Sequence, residues 1–473
     1  MSNYDVVILG AGPAGERAAI QAAKIGKRVA LIEREHVVGG TGVVWGAIPS
    51  KTLRESASFV RSITSRKLDG IPVNIGAEIS IADFMYRERM VVQRELELIN
   101  KALDRWAVDL IHGQGRILDE HRVVVENRHG QSRIQLSADF IVIATGSSPN
   151  HPEDVDFDTD VVFDSATILK LPRMPRSIIV LGAGVIGVEY AAIFAALGLQ
   201  TTLVDTRPQM LPFVDREIIE ILQRELRKLH MVIIHDDHYA RVERIDGKPP
   251  SVRVHTREGN TVEADVLLYC VGRDGNSKGL GLENVGIQPN ERGLIPVNSF
   301  FQTSMSHIYA IGDVVGFPAL ASTSMEQGRQ AIRHAYGVAG PKGDTAVLPF
   351  AIYSIPEVSY IGATEEELVA AGTEYVAGRG RYELNPRGQI IDDTGGLLKL
   401  LFEKASMRLL GVHIVGTGAS ELIHTGQAFL YDGTDATQIA ETLFNYPTLS
   451  DLYRHASLDA LMQANKLDAL MAR

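Results

Sequence analysis

A single cysteine, Cys270, stands in 473 residues, which forbids any intrachain disulfide and fits a reducing compartment. No apolar run approaches the roughly 20 residues needed to span a bilayer. The opening MSNYDVVILG lacks the basic-then-apolar pattern of a secretion signal and runs straight into a strand, so a cytoplasmic location is expected. Basic residues are outnumbered, 47 Lys and Arg against 58 Asp and Glu. The resulting net charge of −11 argues against nucleic acid or an anionic membrane as partner. The 14 histidines show no clustered ligand spacing, so no metal is expected. With 45% hydrophobic and 22% charged residues, what remains is an ordinary globular composition, long enough for about three domains.

Two stretches share one grammar. Tyr4 to Leu9 reads as a short apolar strand leading into Gly10-Ala11-Gly12-Pro13-Ala14-Gly15. A helix from Glu16 to Ile25 and a strand from Arg28 to Glu33 follow. Gly10 permits the tight turn, Gly12 lets a pyrophosphate approach the backbone, and Gly15 lets helix and strand pack closely. The helix N-terminus presents partial positive charge to the phosphates, and Glu33 stands where a carboxylate accepts ribose hydroxyls. The same order recurs as strand Ile178 to Leu181, then Gly182, Gly184 and Gly187, a helix from Glu189 to Ala196, and a strand ending at Asp205. Two dinucleotide sites in one chain suggest electron transfer between two cofactors.

A third element separates the sites. IYAIGDV, Ile308 to Val314, is a strand running into a glycine turn and Asp313. An acid there can bond the polyhydroxyl chain of a flavin, which NAD lacks. DFIVIATGSSP, Asp139 to Pro149, looks like the strand that closes the first unit before the chain crosses to the second.

These four segments, in this order, resemble the pyridine nucleotide–disulfide oxidoreductases, the family of glutathione reductase and lipoamide dehydrogenase. The resemblance implies an α/β fold with two Rossmann-like dinucleotide-binding domains, for FAD and NAD(P), and a C-terminal α+β interface domain. Residues 1–150 and 276–345 would form the FAD domain, 151–275 the NAD(P) domain and 346–473 the interface domain. The last of these implies a homodimer or larger homo-oligomer. FAD is expected at Gly10, Gly12, Gly15, Glu33 and Asp313, and NAD(H) or NADP(H) at Gly182, Gly184, Gly187 and Asp205. Thr41, Thr145, Gly146, Gly312 and Gly272 complete the cofactor-binding set. Lys51 and Glu189 are the expected catalytic pair, because in relatives this lysine lies near flavin N5 and pairs with a glutamate beside the nicotinamide.

The frame VVGGTGVVWGAIPSK, Val37 to Lys51, departs from the family at its chemical centre. The redox thiols would sit at Gly42 and Ala47. The histidine base expected before Pro447-Thr448 is Tyr446, and its acid is shortened to Asp451. Thiol–disulfide exchange therefore has no path. Cys270, read as the end of a strand from Val266, is expected to be a small buried hydrophobe. With no relay, the nicotinamide face is the working surface: NADPH could reduce the flavin and NAD⁺ take the hydride back, needing only an oriented ring. Trp45, HPEDVDFD, GAGVIGVEYAAIF, DTRPQML and FNYPT resemble the soluble Si-specific transhydrogenase branch of the family. Asp205 favours a free 2′-hydroxyl, and Arg207 is placed to offset it by pairing a 2′-phosphate. A reductase passing electrons to a quinone, dye or oxygen through the space beside Gly42 and Ala47 is the alternative. A flavin-binding protein without catalysis is a third reading.

Overall fold

The computed structural model describes residues 2–65, 80–127, 133–158, 160–339 and 347–466. The expected boundary at 345/346 lies outside these.

Continuous apolar runs build two parallel sheets, as expected for strands covered on both faces. In the first, Asp109–His112, Val29–Glu33, Ser2–Leu9 and Arg133–Ile143 lie side by side in parallel. Ile308–Ala310 flanks the far end of the last strand. The hairpin Gln114–Asp119 and Arg122–Glu126 adds antiparallel to its near end. In the second sheet the order is Val232–Ile234, Gln200–Val204, Ser177–Leu181, Val266–Tyr269 and Val162–Asp164, all parallel. A third, antiparallel sheet runs from Phe350–Ile352 to Tyr375–Arg381. Helix Leu452–Gln463 packs against its strands Tyr375–Arg381 and Leu397–Glu403.

The two nucleotide-type helices begin earlier than the sequence reading placed them. They span Pro13–Lys24 and Val185–Ala196, with Gly12 and Gly184 as extended N-caps. The third glycine of each motif therefore lies inside the first helical turn. A Cβ at Gly15 would fall 1.9 Å from the Gly10 carbonyl oxygen, and one at Gly187 1.9 Å from that of Gly182. Only glycine fits there. Gly10 and Gly182 take φ of +103° and +100°, which other residues rarely adopt.

A surface helix spans Arg216–Lys228, with Asp215 as its N-cap. Fully buried Lys399, on strand Leu397–Glu403, places Nζ 2.9 Å from Asp215, 3.0 Å from Glu217 and 2.9 Å from Glu365. Arg379 adds a fork onto Glu217. This ionic network ties the second parallel sheet's surface helix to the third sheet.

Candidate active site

Three parts of the fold meet at one carboxylate. After the double glycine the chain makes a π-helical turn, Thr41–Trp45, and then helix Ala47–Ser65, which carries Lys51. That helix packs on Val185–Ala196, which carries Glu189. Lys51 Nζ lies 3.0 and 2.7 Å from the two Glu189 oxygens, and Glu189 is 3% exposed. Tyr353, from the segment after Phe350–Ile352, donates its backbone N–H to Glu189 Oε1 at 2.9 Å. The Tyr353 ring faces Lys51 Nζ, 4.9 Å from its centroid. Next to them, Arg54 bonds Glu357 at 2.8 Å, and Glu357 accepts from the Ser420 amide and hydroxyl. The ion pair expected from sequence is formed; Tyr353 was not foreseen.

On the first-sheet side, Glu33 accepts from the amides of Ala11 and Glu35, both at 2.8 Å. It stands at the mouth of the Gly10–Gly15 turn. A Cβ at Gly40 would come within 3.1 Å of Gly12 Cα, so bare backbone forms a narrow cradle before the helix N-terminus. Asp313 accepts from Ser147 Oγ at 2.9 Å, and Arg273 donates Nε to that same hydroxyl at 2.9 Å. Thr145 and Gly146 are held beside this by Asn276, whose carbonyl receives the Thr145 hydroxyl at 2.7 Å. The Asn276 amide in turn bonds the Gly146 carbonyl at 3.0 Å. Gly312 is fixed by Gln327 at 2.7 Å. Thr41 opens the π-helical turn and is half-buried. This donor set and cradle fit a dinucleotide with a polyhydroxyl arm.

On the second-sheet side a cavity of about 300 Å³ is lined by Gly182, Gly184, Asp205, Arg207, Cys270 and Gly272. A Cβ at Gly184 would meet nothing within 4 Å, which leaves open space before the helix N-terminus. Asp205 accepts from the Ala183 amide, the Arg207 amide, and both Nε and Nη2 of Arg207. Burial alone would raise the Asp205 carboxyl, but these bonds outweigh it and hold it below the usual carboxylate range. Arg207, expected from sequence to pair a 2′-phosphate, here covers both oxygens of Asp205. Cys270 sits one residue past strand Val266–Tyr269, half-buried at the cavity wall and not inside the strand. Burial, with the Asp164 charge beside it, pushes its thiol up.

The expected room beside Gly42 is not there. A Cβ built on Gly42 falls 2.4 Å from Pro13 Cγ, so the space a thiol would need is taken by that ring. Tyr446, in the position of the missing histidine, is 78% exposed, and Leu443 nearby 92%. Asp451 lies 3.3 Å from His455 and serves the start of the last helix.

The pyridine nucleotide-disulphide oxidoreductase family matches residues 4–328, and its dimerisation domain matches residues 348–457. The chain belongs to that family. Within it, the chain is 43% identical to the soluble pyridine nucleotide transhydrogenase of Mycobacterium bovis, over 99% of both chains. It is 40% identical to the one from Yersinia pestis, over 97% of this chain and 98% of that one. Among family structures, LpdA from Mycobacterium tuberculosis superposes with a TM-score of 0.88 at 27% identity, covering 97% of this chain and 99% of that one. The HOCl-induced flavoprotein disulfide reductase RclA from Escherichia coli gives 0.86 at 28%, covering 96% and 100%. This member has no cysteine pair, its one cysteine being Cys270. Among the described residues no helix is long and apolar enough to cross a membrane. Sequence reasoning missed Tyr353, Ser147, Arg273 and Asn276, all of which act across long sequence separations. Ser147 and Arg273 directly follow Gly146 and Gly272, which the sequence singled out; Tyr353 and Asn276 have no such neighbour.

Proposed function

We propose that the protein is an FAD-dependent transhydrogenase moving hydride between NADPH and NAD⁺ at a single nicotinamide site. The observation that carries this reading is the intact Lys51–Glu189–Tyr353 junction beside a thiol position closed by Pro13. Full-length relatives at 40 and 43% identity that bear the name soluble pyridine nucleotide transhydrogenase support it. FAD, when bound, supplies the group that takes up and returns the hydride. Glu33 would hold its adenosine ribose, Gly10, Gly12 and Gly15 its pyrophosphate, and Asp313 its ribityl arm. Lys51 offers positive charge where a reduced flavin carries negative charge, and Glu189 fixes that ammonium in place.

The nicotinamide nucleotide would enter over Gly182, Gly184 and Gly187, with Gly272 on the cavity's other wall. Asp205 and Arg207 form a neutral pair that can divide in either direction. Turned outward, the guanidinium meets a 2′-phosphate; left uncovered, the carboxylate meets a free 2′-hydroxyl. Residues 1–150 with 276–345, 151–275 and 346–473 would be the FAD, NAD(P) and interface domains. The interface domain would pair two copies into a homodimer, with Leu443 and Tyr446 offering apolar surface to the partner.

Stopped-flow spectroscopy tests the reading. NADPH should bleach the bound flavin, and NAD⁺ or thio-NAD⁺ should restore it faster than quinones or oxygen do. Failure of NADPH to bleach it, with NADH succeeding, overturns the proposal.

A further inference from the structure

We infer that Glu120, His121 and His307 form a binding site for a divalent transition ion of the Zn²⁺, Cu²⁺ or Ni²⁺ class. The site lies away from the proposed active site and does not rest on that reading. His121 is in the turn between strands Gln114–Asp119 and Arg122–Glu126, and His307 immediately precedes Ile308–Ala310. Linear spacing hides the pair, which is why the sequence suggested no ligand cluster. The fold stacks the two rings with centroids 4.6 Å apart at 27°.

The decisive feature is what each ring does with its other nitrogen. His121 Nδ1 lies 2.9 Å from the Ala138 carbonyl, and His307 Nε2 lies 2.8 Å from the Glu120 carbonyl. A carbonyl only accepts, so each of those nitrogens carries the hydrogen. In the neutral rings the lone pairs then fall on His121 Nε2 and His307 Nδ1. A backbone carbonyl bonded to the far nitrogen is the usual arrangement behind a metal-bound histidine, because it fixes tautomer and orientation. One ring nitrogen from each histidine and a Glu120 carboxylate oxygen lie within 4.8 Å of one another. Bonds of about 2.0–2.2 Å require ligand atoms somewhat closer than that. With both rings held by their carbonyl bonds, the exposed Glu120 side chain makes the adjustment.

Two imidazoles and one carboxylate select zinc, copper or nickel over magnesium or calcium, and leave positions for water. The other cluster of this kind among the described residues, Asp215, Glu217 and Glu365, already surrounds Lys399 Nζ and takes no ion. Ion binding at His307 would staple the hairpin turn to Ile308–Ala310. That strand is held to its sheet by the pairs Ile308–Ile141, Tyr309–Val142 and Ala310–Ile143, and it leads directly to Gly312 and Asp313.

The test uses tag-free, chelator-stripped flavin-loaded enzyme. Calorimetric titration with Zn²⁺ should show one saturable site per chain, and Cu²⁺ electron paramagnetic resonance should show two coordinating nitrogens. His121→Ala/His307→Ala should weaken Zn²⁺ binding roughly tenfold or more and abolish the Zn²⁺-induced rise in melting temperature. Flavin content checks that the variant folds. The single variant His121→Gln, which keeps a polar side chain in the turn, should lose one nitrogen from the copper spectrum. Absence of saturable binding, or unchanged binding in the double variant, overturns the assignment.

Discussion

The two glycine-rich turns are nearly superimposable in their constraints and differ in one residue's behaviour. Each places an alanine amide, Ala11 or Ala183, against the acid that ends the second strand. Glu33 spends its second oxygen on the Glu35 amide. Asp205 carries the Arg207 fork across both oxygens. The first arrangement suits one nucleotide held permanently through its ribose hydroxyls. The second suits nucleotides that exchange and differ by a phosphate. The two cradles share one backbone and differ in the side chain that covers the acid.

The sharpest way to separate the two units is to block each cradle in turn. Gly15→Ala drives a methyl into the Gly10 carbonyl, and Gly187→Ala does the same at Gly182, both at 1.9 Å from rigid backbone. Gly15→Ala should purify without flavin or fail to accumulate. Gly187→Ala should keep its flavin absorbance while losing bleaching by either nicotinamide cofactor. Equal flavin loss in both would show that the units are not independent. Next in size is Lys51→Met, which leaves Glu189 buried with only the Tyr353 amide. Breaking a fully buried pair costs about 3–5 kcal/mol, an upper bound here because the Lys51 side chain is 30% exposed. If that loss appears in the transition state, flavin reduction by NADPH should slow roughly a hundredfold or more in stopped flow. A change of under tenfold would remove Lys51 from the hydride step.

The Arg207→Ala variant acts on the difference between the two acids directly. A charge-assisted bond to phosphate is worth about 1.5–3 kcal/mol. KM for NADPH should therefore rise roughly tenfold to a hundredfold, while KM for NADH changes less than about threefold. A parallel loss for both cofactors would mean that the arginine only supports Asp205.

Much of this comparison was readable before any fold was known, because it rests on backbone demands. Gly10, Gly15, Gly182 and Gly187 are forced by φ or by contact with a carbonyl, so their spacing reports the turn. The Lys51–Glu189 pair was readable through its position in the frame. Tyr353 was not, because its bond to Glu189 uses a backbone amide and carries no residue-type signal. The Asp313–Ser147–Arg273 chain joins three distant segments through one hydroxyl, and serine is too common to stand out. Lys399 looked like one of many charges in the chain; only the topology buries it among three carboxylates. The helix starts were misplaced because glycine is a poor helix former, and tertiary approach overrides that preference.

The smallest expected effect is also the one that asks why the thiols are gone. Restoring them as Gly42→Cys/Ala47→Cys would recover disulfide reduction if sulfur were all that is missing. The first unit argues otherwise. Pro13 Cγ occupies the place of a side chain at position 42, and a proline ring at the first turn of a helix has little freedom to move. Overpacking of this kind costs about 1–3 kcal/mol, visible as a lower melting temperature. Position 446 still lacks a base, with tyrosine in its place. The double variant should keep NADPH-to-thio-NAD⁺ turnover within about threefold, since Lys51, Glu189 and the second unit are untouched. It should show no turnover with small disulfides. Appreciable disulfide reduction would mean that the Gly42–Pro13 contact yields easily, and that the first unit is closer to a disulfide reductase than its packing implies.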